Sequence, residues 1–326
     1  MSGTDYVLGT HDEEIARLGL QHRAWRSRAL AAWQTGEFGP GQTVLDVGCG
    51  PGFASLDMAE LVGPDGRVIA MDKSERFLAC LGATCHERKI DNITTCRVDF
   101  DEGEFPDGTA DRAWCRWVLS FVKDPRTVLA HVAGSLFPGG VVVLHEYFDY
   151  ATWRTAPPCP EVEEFVNAVM ASWRDNAGEP NVALMVPHWL EELGFELRSV
   201  RPILDIVQAE HMSWTWLRTF IEVGRRRLVE LEYLTPDRAE SIWQVFTDLE
   251  AAPGTWMMTP GVLEVIATRS PSGQQQMFPS KTITRQPEPC CPSWRKVPGA
   301  STENVPVSFC EWCEPALWSK MTRSRF

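Results

Sequence analysis

The 326-residue chain has no excess of positive charge. Lysine and arginine number 31 against 44 aspartates and glutamates, which gives a formal net charge of −13 at pH 7. A protein that binds nucleic acid needs a basic surface to neutralise phosphates. The charge balance therefore argues against a nucleic-acid partner and favours a small or neutral one.

The chain also has no long apolar run. No stretch approaches the roughly 18 uncharged apolar residues of a membrane-spanning helix, and residues 1–6 show neither the basic nor the apolar region of a signal peptide. Three of the ten cysteines, Cys49, Cys96 and Cys115, fall in segments predicted to be buried, which is typical of free thiols in a reducing compartment. We expect a cytoplasmic protein with no membrane insertion.

A glycine-rich run at residues 44–53 carries most of the functional information. It reads Val-Leu-Asp-Val-Gly-Cys-Gly-Pro-Gly-Phe. Its apolar start predicts a buried parallel strand, and the three glycines predict a loop whose backbone passes close to a ligand. A helical pattern follows at residues 53–62, so the loop ends at a helix N-terminus, where free N–H groups favour an anionic group.

Two common glycine-loop motifs do not fit this run. A dinucleotide-binding fingerprint requires a third glycine where this chain has Phe53, and a P-loop requires a terminal Gly-Lys-Ser/Thr, which is missing. The run instead resembles motif I of the class I S-adenosylmethionine-dependent methyltransferases, in which an apolar pair, Asp and another apolar residue precede Gly-x-Gly-x-Gly.

The following segments support the resemblance. Apolar strands predicted at 67–72 and 92–100 end in acids, a fourth predicted at 111–120 follows, and Leu-Phe-Pro-Gly-Gly at 136–140 leads into an apolar fifth at 141–146. Strands alternating with helices are typical of α/β folds. The resemblance implies a doubly wound, mostly parallel seven-stranded sheet of the Rossmann-like kind, with its sixth strand at 195–207 and its seventh at 261–268.

The resemblance also implies S-adenosylmethionine as the cofactor and assigns roles to individual residues. Asp46 and the loop residues Gly48, Cys49, Gly50 and Gly52 would line the methionine and ribose side. Asp72, with Lys73 beside it, would hold the ribose hydroxyls. Asp99 and Phe100 would flank adenine, and Arg116 and Trp117 would face the cleft near the methyl. Tyr6 and Gln21 would contact the methionine end.

Structural roles are open alternatives for several of these residues. Asp46 could brace the glycine loop, Arg116 could pair with a surface acid, and Trp117 could belong to the core. Tyr6 could merely pack, and Gln21 could be solvated.

The predicted organisation has three parts. Residues 1–36 form a helical cap with a helix at 11–35, and 37–269 form the methyltransferase domain. Insertions at 147–182 and 208–260 supply a substrate lid, the second as two helices around 213–230 and 236–250. The proline-rich segment 270–326 is interpreted as a disordered tail, with a zinc knuckle from Cys290, Cys291, Cys310 and Cys313 as the alternative.

Three residues are candidate proton acceptors. His145 and Glu146 end the fifth strand and His211 opens the second insertion, and an imidazole suits removal of a proton from a phenol, hydroxyl or amine. Because side chains alternate along a strand, only one of His145 and Glu146 can face the cleft. No metal site is expected in the domain.

These observations predict methyl transfer to a hydroxyl or nitrogen of a small, largely apolar or aromatic molecule. A local density of aromatic residues in the insertion 208–260 favours such a substrate. The alternatives are a methyltransferase of protein or RNA, against which the acidity argues, and a non-catalytic methyltransferase-like partner subunit. The sequence leaves the acceptor and the oligomeric state open.

Overall fold

A seven-stranded sheet forms the centre of the computed structural model, which describes residues 10–271. The strands, numbered along the chain, are β1 Thr43–Val47, β2 Arg67–Asp72, β3 Ile93–Arg97, β4 Ala110–Arg116, β5 Leu136–Asp149, β6 Arg154–Ala156, β7 Phe195–Ile203, β8 Ile206–Val207, β9 Trp256–Met258 and β10 Gly261–Arg269. The main sheet has the order β3-β2-β1-β4-β5-β10-β7. Strand β10 runs antiparallel to its neighbours β5 and β7, and the other strand pairs of this sheet are parallel, so the predicted fold class is confirmed.

Burial on both faces explains the parallel part of this sheet. The central residues of β1, β2 and β4 are apolar, apart from Asp46, and are buried between helices. In register, Asp46 of β1 lies opposite Ala70 of β2 and Trp114 of β4. The carboxyl ends of β1, β2, β4 and β5 therefore meet at one edge, where ligands bind in folds of this kind.

Eight α-helices surround the sheets in the described part of the chain. They are α1 Asp12–Thr35, α2 Phe53–Val62, α3 Glu75–Arg88, α4 Pro125–Ser135, α5 Pro160–Asp175, α6 Val186–Glu192, α7 Met212–Glu230 and α8 Pro236–Ala251. Side-chain caps fix several starts, such as Ser74 at α3 and Thr235 at α8. The predicted cap helix and the two predicted insertion helices are all present. None of these helices is long and apolar enough to cross a membrane.

The predicted sixth strand at 195–207 is wrong in one respect. It divides into β7 and β8, and β8 joins β6 and β9 in a separate antiparallel sheet that the sequence pattern did not indicate. The division falls at Asp205, whose backbone N–H donates to Thr259 Oγ1 at 3.0 Å and whose carboxylate binds Arg28 and Ser213. These polar contacts turn the chain away from the main sheet.

The insertions pack into one aromatic layer against the sheet edge. Helix α7 lies against α1 and α5, and α8 lies against α5 and α7. Their apolar faces share a buried cluster with Trp25, Trp117, Tyr147 and Trp173. Residues 1–9 and 272–326 lie outside the described structure, and with them Tyr6 and the four cysteines of the alternative zinc knuckle.

Candidate active site

The glycine loop after β1 is held in a conformation that only glycine adopts easily. Gly48, Gly50 and Gly52 have φ angles of +71°, +54° and +87°. A Cβ on Gly48 would lie 2.1 Å from Val118 Cγ2, and one on Gly52 would lie 2.3 Å from Leu81 Cδ1. A Cβ on Gly50 would meet nothing within 4 Å. Gly48 and Gly52 therefore serve packing, and Gly50 faces open space.

Asp72 joins this loop to the end of β2. Its Oδ2 accepts the N–H of Gly50 at 2.8 Å, and its Oδ1 accepts the N–H of Ser74 at 2.8 Å. Burial raises the pKa of this carboxyl above its ordinary value, although both N–H groups and the nearby Lys73 favour the ionised form. The carboxylate therefore orders the loop and stands at the sheet edge where the ribose role was predicted.

Asp46 lies beneath the loop, inside the sheet. It is buried, its Oδ2 accepts a hydrogen bond from Ser55 Oγ at 2.5 Å, and burial raises its pKa to about 7. Ser55 belongs to the first turn of α2, so this bond ties the helix N-terminus to β1. The bracing role weighed for Asp46 matches this geometry.

Arg116, at the end of β4, carries a buried donor that no group among residues 10–271 satisfies. Its Nη2 lies 3.4 Å from His22 Nδ1, but its Nη1 has no hydrogen-bond partner within residues 10–271. The guanidinium lies over the rings of Trp114 and Trp117, and burial lowers its pKa to about 10, so it stays charged at neutral pH. An unpaired guanidinium donor is suited to a ligand anion.

His22 links α1 to α2 beside the loop. Its Nε2 lies 3.1 Å from Asp57 Oδ2, and Arg26 Nε donates to the same oxygen at 2.7 Å. Burial lowers the pKa of His22, chiefly through desolvation. The ring also stacks on Phe53 at a centroid distance of 6.0 Å. These contacts hold the cap helix over the start of α2.

Trp117 has a strained backbone and the central place in a stack of rings. Its φ is +55°, which is unusual for a bulky residue and is seen where surrounding structure enforces it. Its indole lies between Tyr147 at 5.4 Å and Trp216 at 5.6 Å, with interplanar angles of 12° and 13°. The stack joins β5 to α7 across the residue that follows β4.

A narrow aromatic cleft opens beside this stack. Its space is closed to about the size of a water molecule, so an organic ligand must part the side chains. The cleft is lined by Arg17, Gln21, Trp117, Phe121, Tyr147, Tyr150, Trp173, Trp216, Leu217 and Phe220. Helices α1, α5 and α7 supply most of the wall, and β5 and the turn after β4 supply its floor.

The polar rim of the cleft comes from α1. Glu14 and Arg17 form a buried ion pair, with both carboxylate oxygens at 2.7 Å from Arg17 nitrogens. Gln21 Oε1 accepts hydrogen bonds from Arg17 Nη1 at 2.9 Å and from Trp216 Nε1 at 3.1 Å. Gln21 therefore contacts the inserted helix α7 directly.

Two of the three predicted proton acceptors are inside the sheet and do not line this cleft. His145 Nε2 lies 3.1 Å from Glu264 Oε2, and burial lowers the pKa of His145. Glu146 Oε1 accepts the N–H groups of Val118 at 2.8 Å and Leu119 at 3.1 Å, and burial raises its pKa to about 7. Both side chains are occupied in holding β5 to its neighbours.

The third, His211, is the exposed N-cap of α7, where its Nδ1 accepts the N–H of Ser213 at 3.1 Å. Its position is explained by the start of the helix.

The remaining predicted residues are spread around the sheet edge. Asp99 is exposed and accepts the N–H of Asp101 at 3.1 Å. Phe100 is buried against Phe105. Lys73 is half-buried beside Asp72, and the Cys49 thiol is buried, which raises its pKa. The described residues contain no cluster of three His, Cys, Asp or Glu side chains that could hold a metal.

Several cleft residues were not singled out from the sequence. Tyr147 and Tyr150 directly follow the predicted fifth strand, and Trp173 lies in the apolar pattern of the first insertion. Their place after a strand at the carboxyl edge was the available signal. Which rings face inward depends on how α5 and α7 pack, and the sequence pattern does not report that.

The site fits the cofactor that the sequence implied. Gly50 leaves open space beside the N-terminus of α2, which has no side-chain cap. Arg116 adds a buried donor that has no partner in the described part of the chain. Backbone N–H groups and a guanidinium are suited to the carboxylate and hydroxyl groups of S-adenosylmethionine.

Comparison with known proteins identifies the family of the chain. Residues 44–140 match the family model of a methyltransferase domain. The nocamycin O-methyltransferase of Saccharothrix syringae is 32% identical over 224 residues, which cover 59% of this chain and 76% of that enzyme. The chain belongs to the class I S-adenosylmethionine-dependent methyltransferases, and the predicted cofactor is confirmed at the level of the family.

Other relatives share a shorter region. The demethylmenaquinone methyltransferase of Lactococcus lactis is 33% identical over 126 residues, covering 39% of this chain and 49% of the relative. The chain thus spans about half the length of such curated relatives. Among solved structures, the YcgJ protein of Bacillus subtilis has a TM-score of 0.51 at 16% identity, covering 75% of this chain and 98% of that one, and it shares the fold.

Proposed function

We propose that this chain transfers the methyl group of S-adenosylmethionine to a hydroxyl or nitrogen of a small, largely apolar or aromatic molecule. The observation that carries the proposal is the aromatic cleft at the carboxyl ends of β4 and β5. Its floor includes Trp117, which adjoins Arg116, so the acceptor cleft and the cofactor edge meet at the end of one strand.

The cofactor roles proposed for single residues rest on the described contacts. Asp72 and the Gly50 backbone bind the ribose and methionine side, and Arg116 Nη1 is the proposed donor to the methionine carboxylate. Asp99 and Phe100 are again proposed to flank adenine, and Phe100 packs against Phe105. Asp46 is proposed to act through the loop that it braces and not by direct contact.

The bound cofactor supplies a methyl group on a positively charged sulfur that is already activated for displacement. The protein then has to align the acceptor and exclude water. The Trp117 stack fixes the floor of the cleft, and α7 covers it. The residues that line the described cleft include no histidine, aspartate or glutamate. We therefore propose an acceptor that loses its proton readily, such as a phenol or enol, or one that carries a neutral nitrogen.

The relatives and the cysteines support the chemical class and the location. The names of two relatives, a nocamycin O-methyltransferase and a demethylmenaquinone methyltransferase, each state a small-molecule substrate. The six cysteines of the described residues are free thiols, which supports a reducing cytoplasmic location. The acidic net charge supports a small molecule over nucleic acid.

The test is release of S-adenosylhomocysteine from the full chain with a panel of phenols, enols and aromatic amines. Trp216→Leu, which removes a cleft wall, should lower kcat/KM at least ten-fold for any acceptor that is turned over. Trp243→Leu is the matched control because Trp243 stacks on Phe246 of its own helix, contacts Arg218 of α7 and does not line the cleft. Equal losses in the two variants, or turnover of proteins or RNA only, would contradict the proposal.

A further inference from the structure

The orientation of the Gln21 side-chain amide in the cleft is fixed by the two donors that bind it. Trp216 Nε1 and the Arg17 guanidinium are obligate donors, so the atom that they approach at 3.1 and 2.9 Å must be the amide oxygen. A flipped amide would place two donors against an NH₂ group. The assignment of oxygen and nitrogen therefore follows from the network itself.

Both oxygen lone pairs of Gln21 are used by these two bonds, and its NH₂ group is left without a hydrogen-bond partner in residues 10–271. The buried Glu14–Arg17 pair holds one donor in place, and the packing of Trp216 against Trp25 and Trp117 holds the other. The amide therefore cannot turn to offer its oxygen to a ligand without breaking two bonds.

We propose that Gln21 is a specificity-determining residue that donates a hydrogen bond from its NH₂ group to an acceptor oxygen on the methyl-accepting substrate. The inference rests on the proposed function, since it concerns the same cleft. It names a substrate feature: a carbonyl, enolate or phenolate oxygen set into an otherwise aromatic body. It also moves Gln21 from the predicted methionine end of the cofactor to the substrate side.

Arg17 does not serve as this donor, although it lines the cleft. Its Nε and Nη2 are bound to Glu14 and its Nη1 to Gln21. The ion pair thus balances its charge inside the protein, which disfavours a fully charged anion and favours a neutral or partly charged oxygen at Gln21. Arg17 acts as a positioning residue that turns the Gln21 amide.

The experiment compares two ligands of matched shape, acetophenone and ethylbenzene, which differ by a carbonyl oxygen. Their affinities for the full chain saturated with S-adenosylhomocysteine are measured by ligand-observed NMR titration, which requires no methyl transfer. The wild-type protein should bind the ketone about five-fold more tightly, the ratio expected for one neutral hydrogen bond. Equal affinities, or no binding of either ligand, would overturn the proposal.

The sharpest variant is Gln21→Glu, because glutamate keeps oxygens for Trp216 and Arg17 and replaces the NH₂ donor by an acceptor. It should abolish the preference for the ketone, whereas Gln208→Glu, which adds the same charge in the loop before α7, should retain it. A ketone preference that survives Gln21→Glu would overturn the proposal. A greater than three-fold loss of S-adenosylhomocysteine affinity in that variant would do the same, because it would place Gln21 on the cofactor.

Failure of the proposed function gives a different result. In that case the wild-type chain would turn over no small acceptor, although the ketone preference and its loss in Gln21→Glu could still be measured. If the glutamate variant does not fold, the wild-type comparison of the two ligands decides alone.

Discussion

Asp72 receives two backbone N–H groups from two different loops, so its carboxylate both orders the site and belongs to it. We predict that Asp72→Ala weakens binding of S-adenosylhomocysteine ten- to hundred-fold, which corresponds to roughly 1.5–3 kcal/mol for a lost charge-assisted hydrogen bond. Isothermal titration calorimetry measures this directly. Asp111→Ala is the matched control because Asp111 also accepts a backbone N–H, from Thr43 at the opposite edge of the sheet. Equal affinity of the Asp72 variant and wild type would rule out the ribose role.

Glu146 should make stability depend on pH in an unusual direction. Burial raises its pKa from 4.5 to about 7, so the folded protein binds the proton more tightly than the unfolded chain does. Its contribution to the free energy of unfolding is therefore full at low pH and is lost as pH rises through about 7. Relative to Glu146→Gln, which mimics the protonated acid, wild type should lose about 3 kcal/mol between pH 4.5 and pH 8.

Urea denaturation of the two proteins at several pH values measures this difference. The buried Asp46, whose pKa is also raised to about 7, is present in both proteins and cancels in the comparison. Parallel pH profiles for wild type and Glu146→Gln would show that Glu146 has the same pKa in the folded and unfolded protein, and would contradict the prediction.

At the scale of one element, different glycines of the glycine loop serve packing and cofactor binding. Gly50→Ala meets no atom within 4 Å and should cost only about 1–2 kcal/mol for its positive φ, yet its methyl would enter the space proposed for the cofactor. We expect this variant to fold and to bind S-adenosylhomocysteine at least ten-fold more weakly. Gly108→Ala has the same φ of +54° and the same free surroundings away from the loop, so it should leave binding unchanged.

The neighbouring Gly52→Ala gives the opposite outcome, because its Cβ would lie 2.3 Å from Leu81 Cδ1. It should lower the melting temperature clearly more than Gly50→Ala does, as followed by circular dichroism. If both alanine variants lose the same amount of stability and binding, the loop does not divide in this way.

The same loop shows why part of the site could be predicted. A short apolar strand followed by alternating glycines constrains its own backbone, so the positions of Asp46, Gly50 and Asp72 follow from local sequence. The positions of the side chains in the second insertion do not follow from local sequence in this way. Trp214 and Trp216 are two residues apart on α7, yet Trp214 bonds Glu250 of α8 while Trp216 lines the cleft. Helical periodicity separates their faces, but only the packing of α7 against α1 and α8 determines which face meets the ligand.

The places of two predicted proton acceptors could not be derived from the sequence for a related reason. His145 and Glu146 were singled out because they end an apolar strand at the carboxyl edge. In the structure β5 continues to Asp149, so both lie inside the sheet, and Tyr147 and Tyr150 occupy the edge. The length of a buried strand depends on its partners, here β10, and does not follow from its own residues.

At the scale of the whole molecule, the described sheet is complete at Arg269. Strand β10 pairs with β5 and β7 over its length, and the backbone N–H of Ser270 donates to Gly194 O at 3.0 Å. We predict that deletion of residues 272–326 shifts the melting temperature by less than about 2 °C and leaves S-adenosylhomocysteine affinity unchanged. Differential scanning calorimetry and titration of the truncated chain check this. Failure of that chain to fold, or one equivalent of zinc in the full chain, would contradict it.

The cofactor edge and the cover of the cleft come from different parts of the chain, which has a consequence for how related proteins diverge. The cofactor edge is encoded by residues before 150, and the cover of the cleft is encoded by a later, contiguous segment that contains Trp216 and Phe220. Exchange of that segment among related genes, or drift within it, would change one wall of the cleft while the residues of the cofactor edge stay unchanged. Relatives should therefore diverge fastest in α7 and α8.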